Sequence, residues 1–154
     1  MFEREFVAGW GDMDFNSHMR NTAFLDKSAD VRMMFFADHG FSMEEFIRRK
    51  FGPVIRRDEL EYFKEVRLLE PFKVSLSNAG LSDDGSRFLV RNEFWKNDGT
   101  LIARVTSAGG WLDLETRRLI APPPALLDAL RSLTPSEAFQ VLPSSIKDQP
   151  KPIT

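Results

Sequence analysis

The sequence predicts an α+β domain in which one antiparallel sheet packs against one long helix. Three patterns predict it: one long stretch of helical periodicity near the N-terminus, four later stretches of strand character, and short turn signals between them. Phe2 to Trp10 roughly alternates, with Phe2, Phe6, Ala8 and Trp10 on one side, and reads as the first strand. Asn21 or Thr22 then caps a helix running to about Asp38, with His39-Gly40 as its stop signal. On that helix Phe24, Leu25, Ser28, Ala29, Val31, Arg32, Phe35 and Phe36 share a broad, mostly apolar face, as lying on a sheet requires.

Ser42 followed by Glu45 is a capping-box pattern and predicts a short helix through about Arg49. After Gly52-Pro53 the character changes to β, with strands over residues 54–66, 72–81, 87–96 and 101 to about 114. Ser82-Asp83-Asp84-Gly85-Ser86 and Asn97-Asp98-Gly99 are hairpin turns between the last three. The pair Gly109-Gly110 inside the last strand predicts a bulge or a close backbone approach. Pro122-Pro123-Pro124 ends the sheet, and Pro124 opens a short helix to Leu133. Residues 1–133 therefore read as one domain, and residues 134–154, rich in Pro, Ser and Lys, as a polar tail. One sheet with one helix leaves exposed edges, so a homodimer or a dimer of dimers is expected.

Composition narrows the function. A chain of 154 residues, 42% apolar and 29% charged, has ordinary globular proportions and can bury its own core. Fourteen phenylalanines against one tyrosine imply an aromatic core, with or without an apolar cavity. A net charge of −2 gives no reason to expect nucleic acid as a partner. The lack of cysteine excludes disulfides, thiol nucleophiles and cysteine-ligated zinc, and suits a reducing cytosol. Two histidines, His18 and His39, are too few for a multi-His metal site in one chain, so no metal or cofactor is expected. Met1-Phe2-Glu3-Arg4-Glu5 lacks the apolar core of a signal peptide, and no apolar run is long enough to cross a bilayer. A soluble cytoplasmic protein without a membrane partner is expected.

The chemistry concentrates in Asp12-Met13-Asp14-Phe15-Asn16-Ser17-His18-Met19-Arg20-Asn21, between the first strand and the long helix. Asp14 lies just before a helix N-terminus, whose free backbone N–H groups form a ready anion site. The segment resembles the active-site motif Asp-x-Asp-x-x-Gly-His-Val-Asn-Asn of the 4-hydroxybenzoyl-CoA thioesterase-like hotdog proteins. Both Asp, the His and the final Asn are in register, while Ser17 stands where Gly is usual and Arg20 where the first Asn is usual. The resemblance implies a hotdog fold, one antiparallel sheet wrapped around a long central helix. It also implies hydrolysis of an acyl-CoA thioester. By position, the Asn21 amide resembles the helix-start N–H that binds the thioester carbonyl in that family. Asp14 is then a general base acting through water or a nucleophile, and the sequence leaves both open. Asn16 and His18 orient that carboxylate or the water; their plain alternatives are a turn residue and a structural histidine. Asp12 reads as ordering the loop. Arg20 either steers an acidic substrate or points to solvent.

The spacing Asp14-x-Asn16-x-His18 also resembles plant acyl-carrier-protein thioesterases. Leu60-Glu61-Tyr62-Phe63-Lys64-Glu65-Val66 is similar to their Leu-Glu-Tyr-Arg-Arg-Glu-Cys segment, which adds Glu65 to the catalytic candidates and places Val66 at their Cys. Otherwise Glu65 is a charged residue on the outer side of a strand, pairing with Lys64 or Arg67. Tyr62 lines the acyl pocket or fills the core. Ser86-Arg87 sits where the family often contacts coenzyme A, whose phosphates require Lys or Arg. Arg48-Arg49-Lys50 and Arg56-Arg57 are further basic clusters. The expected function is an acyl-CoA thioesterase; the phenylalanines allow an aryl or medium-chain acyl group without requiring either. An acyl-carrier-protein thioesterase and a non-hydrolytic acyl-CoA binding module are the alternatives, and Asp14 disfavours the second.

Overall fold

The computed structural model describes residues 1–146. Strands β1 (Phe2–Val7), β2 (Phe51–Tyr62), β3 (Pro71–Ser82), β4 (Arg87–Lys96) and β5 (Leu101–Asp113) pair antiparallel in the order β1-β3-β4-β5-β2. Helix α1 (Asn21–Asp38) lies on one face of this sheet. The α+β arrangement is the expected one. Residues Phe88, Val90, Asn92 and Phe94 of β4 alternate towards the buried side, and Ala23, Phe24, Val31, Phe35 and Phe36 of α1 are buried. The phenylalanines are spent on packing. Phe36, Phe46, Phe51 and Phe88 surround the buried Trp111, with ring centroids 5.4–6.2 Å from it.

Several boundaries differ from the sequence reading, each for a local reason. β1 ends at Val7, and Trp10–Asp12 forms a 3-10 turn. Helix α1 starts at Asn21 with Arg20 as its N-cap and no side-chain cap, because Asn21 Oδ1 accepts the Thr22 N–H instead. The second helix, α2 (Met43–Arg49), is capped by Ser42 as its pattern predicts. β2 begins at Phe51 and accommodates Pro53 because it is an edge strand. It ends at Tyr62, short of the expected residue 66.

The bulge near Gly109-Gly110 falls on the partner strand, between Ile55 and Arg57. Both glycines are needed for close approach: a Cβ on Gly109 would sit 2.9 Å from the Phe88 ring, and one on Gly110 2.7 Å from the Ser86 carbonyl.

The C-terminal segment departs most. After the short strand β6 (Leu119–Ile120) and helix α3 (Pro124–Ser132), residues expected as tail form β7 (Pro135–Leu142). β7 pairs parallel to β3 over Asn78 to Ser82, while β1 covers the same edge of β3 from Pro71 to Leu76. Two short strands thus complete the edge of one long one. Residues 147–154 of the expected tail lie outside the described residues.

Asp84 holds this segment down. Its carboxylate accepts from the Ser86 and Ser144 hydroxyls, the Ser82 hydroxyl and the Ser86 N–H. Burial alone would raise the Asp84 carboxyl, but these hydrogen bonds outweigh it and hold it at about 2. A depressed acid stabilises the fold above its unfolded pKa, near 4, and that contribution disappears as pH falls towards 2. Asp84→Asn should therefore cost about 1 kcal/mol at pH 7, or roughly 2–4 °C in Tm, with the deficit largely lost by about pH 2. Thermal melts of the two proteins at both pH values measure it.

Candidate active site at the start of the long helix

The loop between β1 and α1 is tied at both ends. Asp12 accepts the Gly9 N–H at 2.9 Å and meets Lys27 Nζ at 3.4 Å, so it orders the loop as expected. Met13 and Met19 form an isolated antiparallel bridge, and the Asp14 N–H donates to the His18 carbonyl at 2.8 Å. The Asp14 side chain closes the resulting turn. Its Oδ1 accepts the N–H of Asn16 at 2.9 Å and of His18 at 3.1 Å. Oδ2 accepts no hydrogen bond among the described residues. One carboxylate oxygen is fixed and the other is open. Ser17 has φ of 69°, the left-handed region where an L side chain is strained, which is why glycine is usual at this place in the motif.

His18 Nε2 lies 2.9 Å from Glu65 Oε2. Because β2 stops at Tyr62, Glu65 sits in the following loop and meets His18, not Lys64 or Arg67. The Met19 N–H donates to the Val66 carbonyl at 2.7 Å and fixes this juxtaposition. Tyr62 donates its hydroxyl to the Asn21 carbonyl at 3.2 Å and packs edge-on against Phe24. Burial raises the Tyr62 phenol, so it remains a donor at neutral pH. Asn21 is the first residue of α1, where backbone N–H groups have no intrahelical partner. The Asn16 side chain is exposed and makes no hydrogen bond among the described residues. Asp14, Asn16, His18, Asn21, Tyr62 and Glu65 thus share one neighbourhood.

Ser86 and Arg87 do not join it. Arg87 pairs with Gly110 at one end of β4, while Phe94, against Phe24, is seven residues along; the separation is about 23 Å at strand rise. The Ser86 side chain is buried, with its hydroxyl engaged by Asp84 and Ser144. Around Arg87 a cavity of about 520 Å³ opens on the sheet face away from α1. Arg56, Arg57 and Glu59 line it together with Leu89, Ala108 and Leu142. The other basic cluster is occupied locally: Arg48 and Arg49 pair with Glu45, and Lys50 with Glu115.

The Arg20 guanidinium is engaged away from Asp14, donating to Thr22 Oγ1 and the Gly11 carbonyl and pairing with Asp26 at 3.4 Å. The sequence reading missed the exposed aromatics of this loop, Phe15 at 98% and Trp10 at 83%, and the half-exposed Phe63 next to Tyr62 in the chain. An aromatic inside the polar motif, Phe15, was the available signal.

Among the described residues no group of three or more metal-binding side chains forms, and no helix is long and apolar enough to cross a membrane. Residues 8–130 match the thioesterase-like superfamily. No curated protein sequence matches the chain. Among solved structures, a hypothetical protein of Staphylococcus aureus in complex with CoA is 22% identical with a TM-score of 0.80, covering 88% of this chain and 86% of that one. A 1,4-dihydroxy-2-naphthoyl-CoA thioesterase from Synechocystis is 17% identical, TM-score 0.77, covering 86% and 96%. A DHNA-CoA thioesterase from Staphylococcus aureus is 16% identical, TM-score 0.75, covering 84% and 87%. These likenesses establish the hotdog fold that the motif implied.

The strained turn gives a test independent of activity. Ser17→Gly should be at least as stable as the native chain, whereas Ser17→Val should lose about 1–2 kcal/mol, measured by urea unfolding.

Proposed function

The chain belongs to the thioesterase-like superfamily, and from that premise we propose that it hydrolyses an acyl-CoA thioester at the loop preceding α1. The observation that carries this reading is the Asp14 carboxylate, with Oδ1 clamped by two backbone N–H groups and Oδ2 open beside a helix start. The Asn21 N–H and the positive end of α1 receive the thioester carbonyl oxygen and stabilise the oxyanion. Asp14 then takes a proton from water as the water oxygen bonds to the carbonyl carbon, or attacks that carbon itself. In either route the C–S bond breaks and the thiolate leaves, to be protonated by solvent; in the second, water then cleaves the acyl–Asp14 anhydride, releasing the acid and restoring the carboxylate.

His18 and Glu65 act as positioning residues. The His18 amide holds Asp14, and the imidazole contact with Glu65 holds the loop against the segment after β2. The exposed aromatic side chains of Phe15, Trp10, Tyr62 and Phe63 suit an aryl or medium-chain acyl group. Arg87, with Arg56 and Arg57 around the same cavity, is the cationic site for the carrier's phosphates. The CoA-bound Staphylococcus aureus relative supports CoA as carrier. An acyl carrier protein is the second reading, favoured by the Asn16 and Glu65 matches and by the His18–Glu65 contact.

Asp14→Asn keeps the shape and loses the base and the nucleophile. We expect kcat for the best acyl-CoA to fall roughly 10²–10⁴-fold with KM little changed, and smaller losses for His18→Ala and Glu65→Gln. Near-native turnover by folded Asp14→Asn would remove the assignment. Wild type that binds acyl-CoA without thiol release would make the protein a binding module.

For Arg87→Ala, KM should rise more than kcat falls, and the dependence of KM on salt should flatten. The same variant assayed on acyl-CoA and on acyl carrier protein separates the two carriers.

A further inference from the structure

Arg32 is out of balance with its surroundings. It sits in the middle of α1, 8% exposed, and its guanidinium makes no hydrogen bond among the described residues, with Nη1 fully enclosed. A buried charge without acceptors costs several kcal/mol. Burial lowers the Arg32 pKa, and the anion that opposes this is Asp58. Asp58 shares a rung with Ser107, whose hydroxyl donates to its Oδ1 at 2.6 Å, so it points to the α1 side of the sheet. It lies near the middle of β2, a 12-residue strand whose outer edge is unpaired among the described residues. A long bare edge is a template for another strand.

The sequence of that edge selects its partner and its register. Arg57 and Glu59 share rungs with Ala108 and Thr106 and face the other side of the sheet from Asp58. When β2 runs antiparallel to a second copy of itself, residues opposite each other must share a face. Centring the register on Asp58 sets Arg57 opposite Glu59 of the second copy, twice, on the outer face. Centring it on Arg57 or Glu59 would instead set like charges opposite each other there, which is destabilising. The chosen register sets two Asp58 carboxylates against each other on the inner face, and this is where the unsatisfied Arg32 lies.

We propose that, where two copies pair along β2, the register is centred on Asp58, with the Arg32 guanidinium of each copy beneath the paired Asp58 carboxylates. Four alternating charges close a ring at the two-fold axis, and each Arg32 gains the acceptors it lacks in one chain. This rests on the edge-to-edge pairing expected of the fold. It has a consequence for the thioesterase site: Tyr62 falls opposite Val54 of the second copy. Val54, which lines the cavity of Arg56, Arg57 and Arg87, thereby comes next to the Tyr62 that meets Asn21 of the other copy.

The chain has no cysteine, so single cysteines report the register directly. A residue on the axis lies directly opposite its own copy, within disulfide reach, whereas a residue one position off the axis stands two residues, about 7 Å along the strand, from its own copy and does not. Full-length Asp58→Cys under mild oxidation should convert mostly to a covalent dimer, with at least tenfold less from Arg57→Cys, Glu59→Cys and Leu60→Cys. Preferential cross-linking at one of the other three overturns the register.

Arg32→Met removes a buried charge and should fold, checked by circular dichroism, yet dimerise at least tenfold more weakly by analytical ultracentrifugation. Adding Asp58→Asn should restore most of that loss, because uncharged side chains at the axis need no cation. Wild-type dimerisation by folded Arg32→Met overturns the ring while leaving the pairing intact. A monomeric wild type at micromolar concentration overturns the edge pairing itself, and the hydrolytic assignment of Asp14 is then judged by its own assay.

Discussion

The site depends on one closure, the Asp14 carboxylate accepting two amides of its own loop. A short polar loop has little hydrophobic reason to hold one shape, and hydrogen bonds from backbone to side chain supply the missing constraint. Closing the turn aligns Met13 with Met19, which lets the Met19 N–H reach the Val66 carbonyl. That bond ties the loop to the segment after β2 and makes the His18–Glu65 contact possible. Charge-assisted bonds at Oδ1 also direct the unshared lone pairs of Oδ2 outwards. The same interaction therefore builds the loop and leaves open the oxygen that the proposed hydrolysis uses.

How legible each part was in the sequence follows from how local its cause is. The two hairpins, α2 and the long helix are set by residues within a few positions, and they appear close to where their turn and cap signals lie. The start of α1 was misjudged only because Asn21 spends its side chain on Thr22 and leaves the cap to Arg20. Long-range pairings were opaque. Nothing local in Pro135 to Leu142 announces a strand; the segment is ordered by the free half of the β3 edge and by Asp84, more than fifty residues away in sequence. The site shows the same division. The motif announced Asp14 and its helix start, while the partner of Glu65 depended on where β2 ends, which the run of β-formers past Tyr62 concealed.

Ser86 and Arg87 were read as a pair and behave oppositely. The buried Ser86 hydroxyl joins the network that anchors the C-terminal segment, so its role is architectural. Arg87 remains at the cavity rim with its charge available. A hairpin residue can serve its own turn or project from it, and alternation along the strand decides which.

Both departures from the family motif are resolved by geometry. Ser17 occupies a left-handed position that glycine would occupy without strain, so its cost is conformational and its hydroxyl has no assigned task. Arg20 replaces an amide with a cation next to the proposed oxyanion position, which would alter the proposed chemistry if the guanidinium faced Asp14. It does not. Its donors go to Gly11, Thr22 and Asp26, clamping the 3-10 turn to the first turns of α1. The charge is paired with Asp26 on the helix flank, and the helix N-terminus keeps the field on which the proposed oxyanion site relies. The substitution that most threatened the catalytic reading thus serves to fix the loop that presents Asp14.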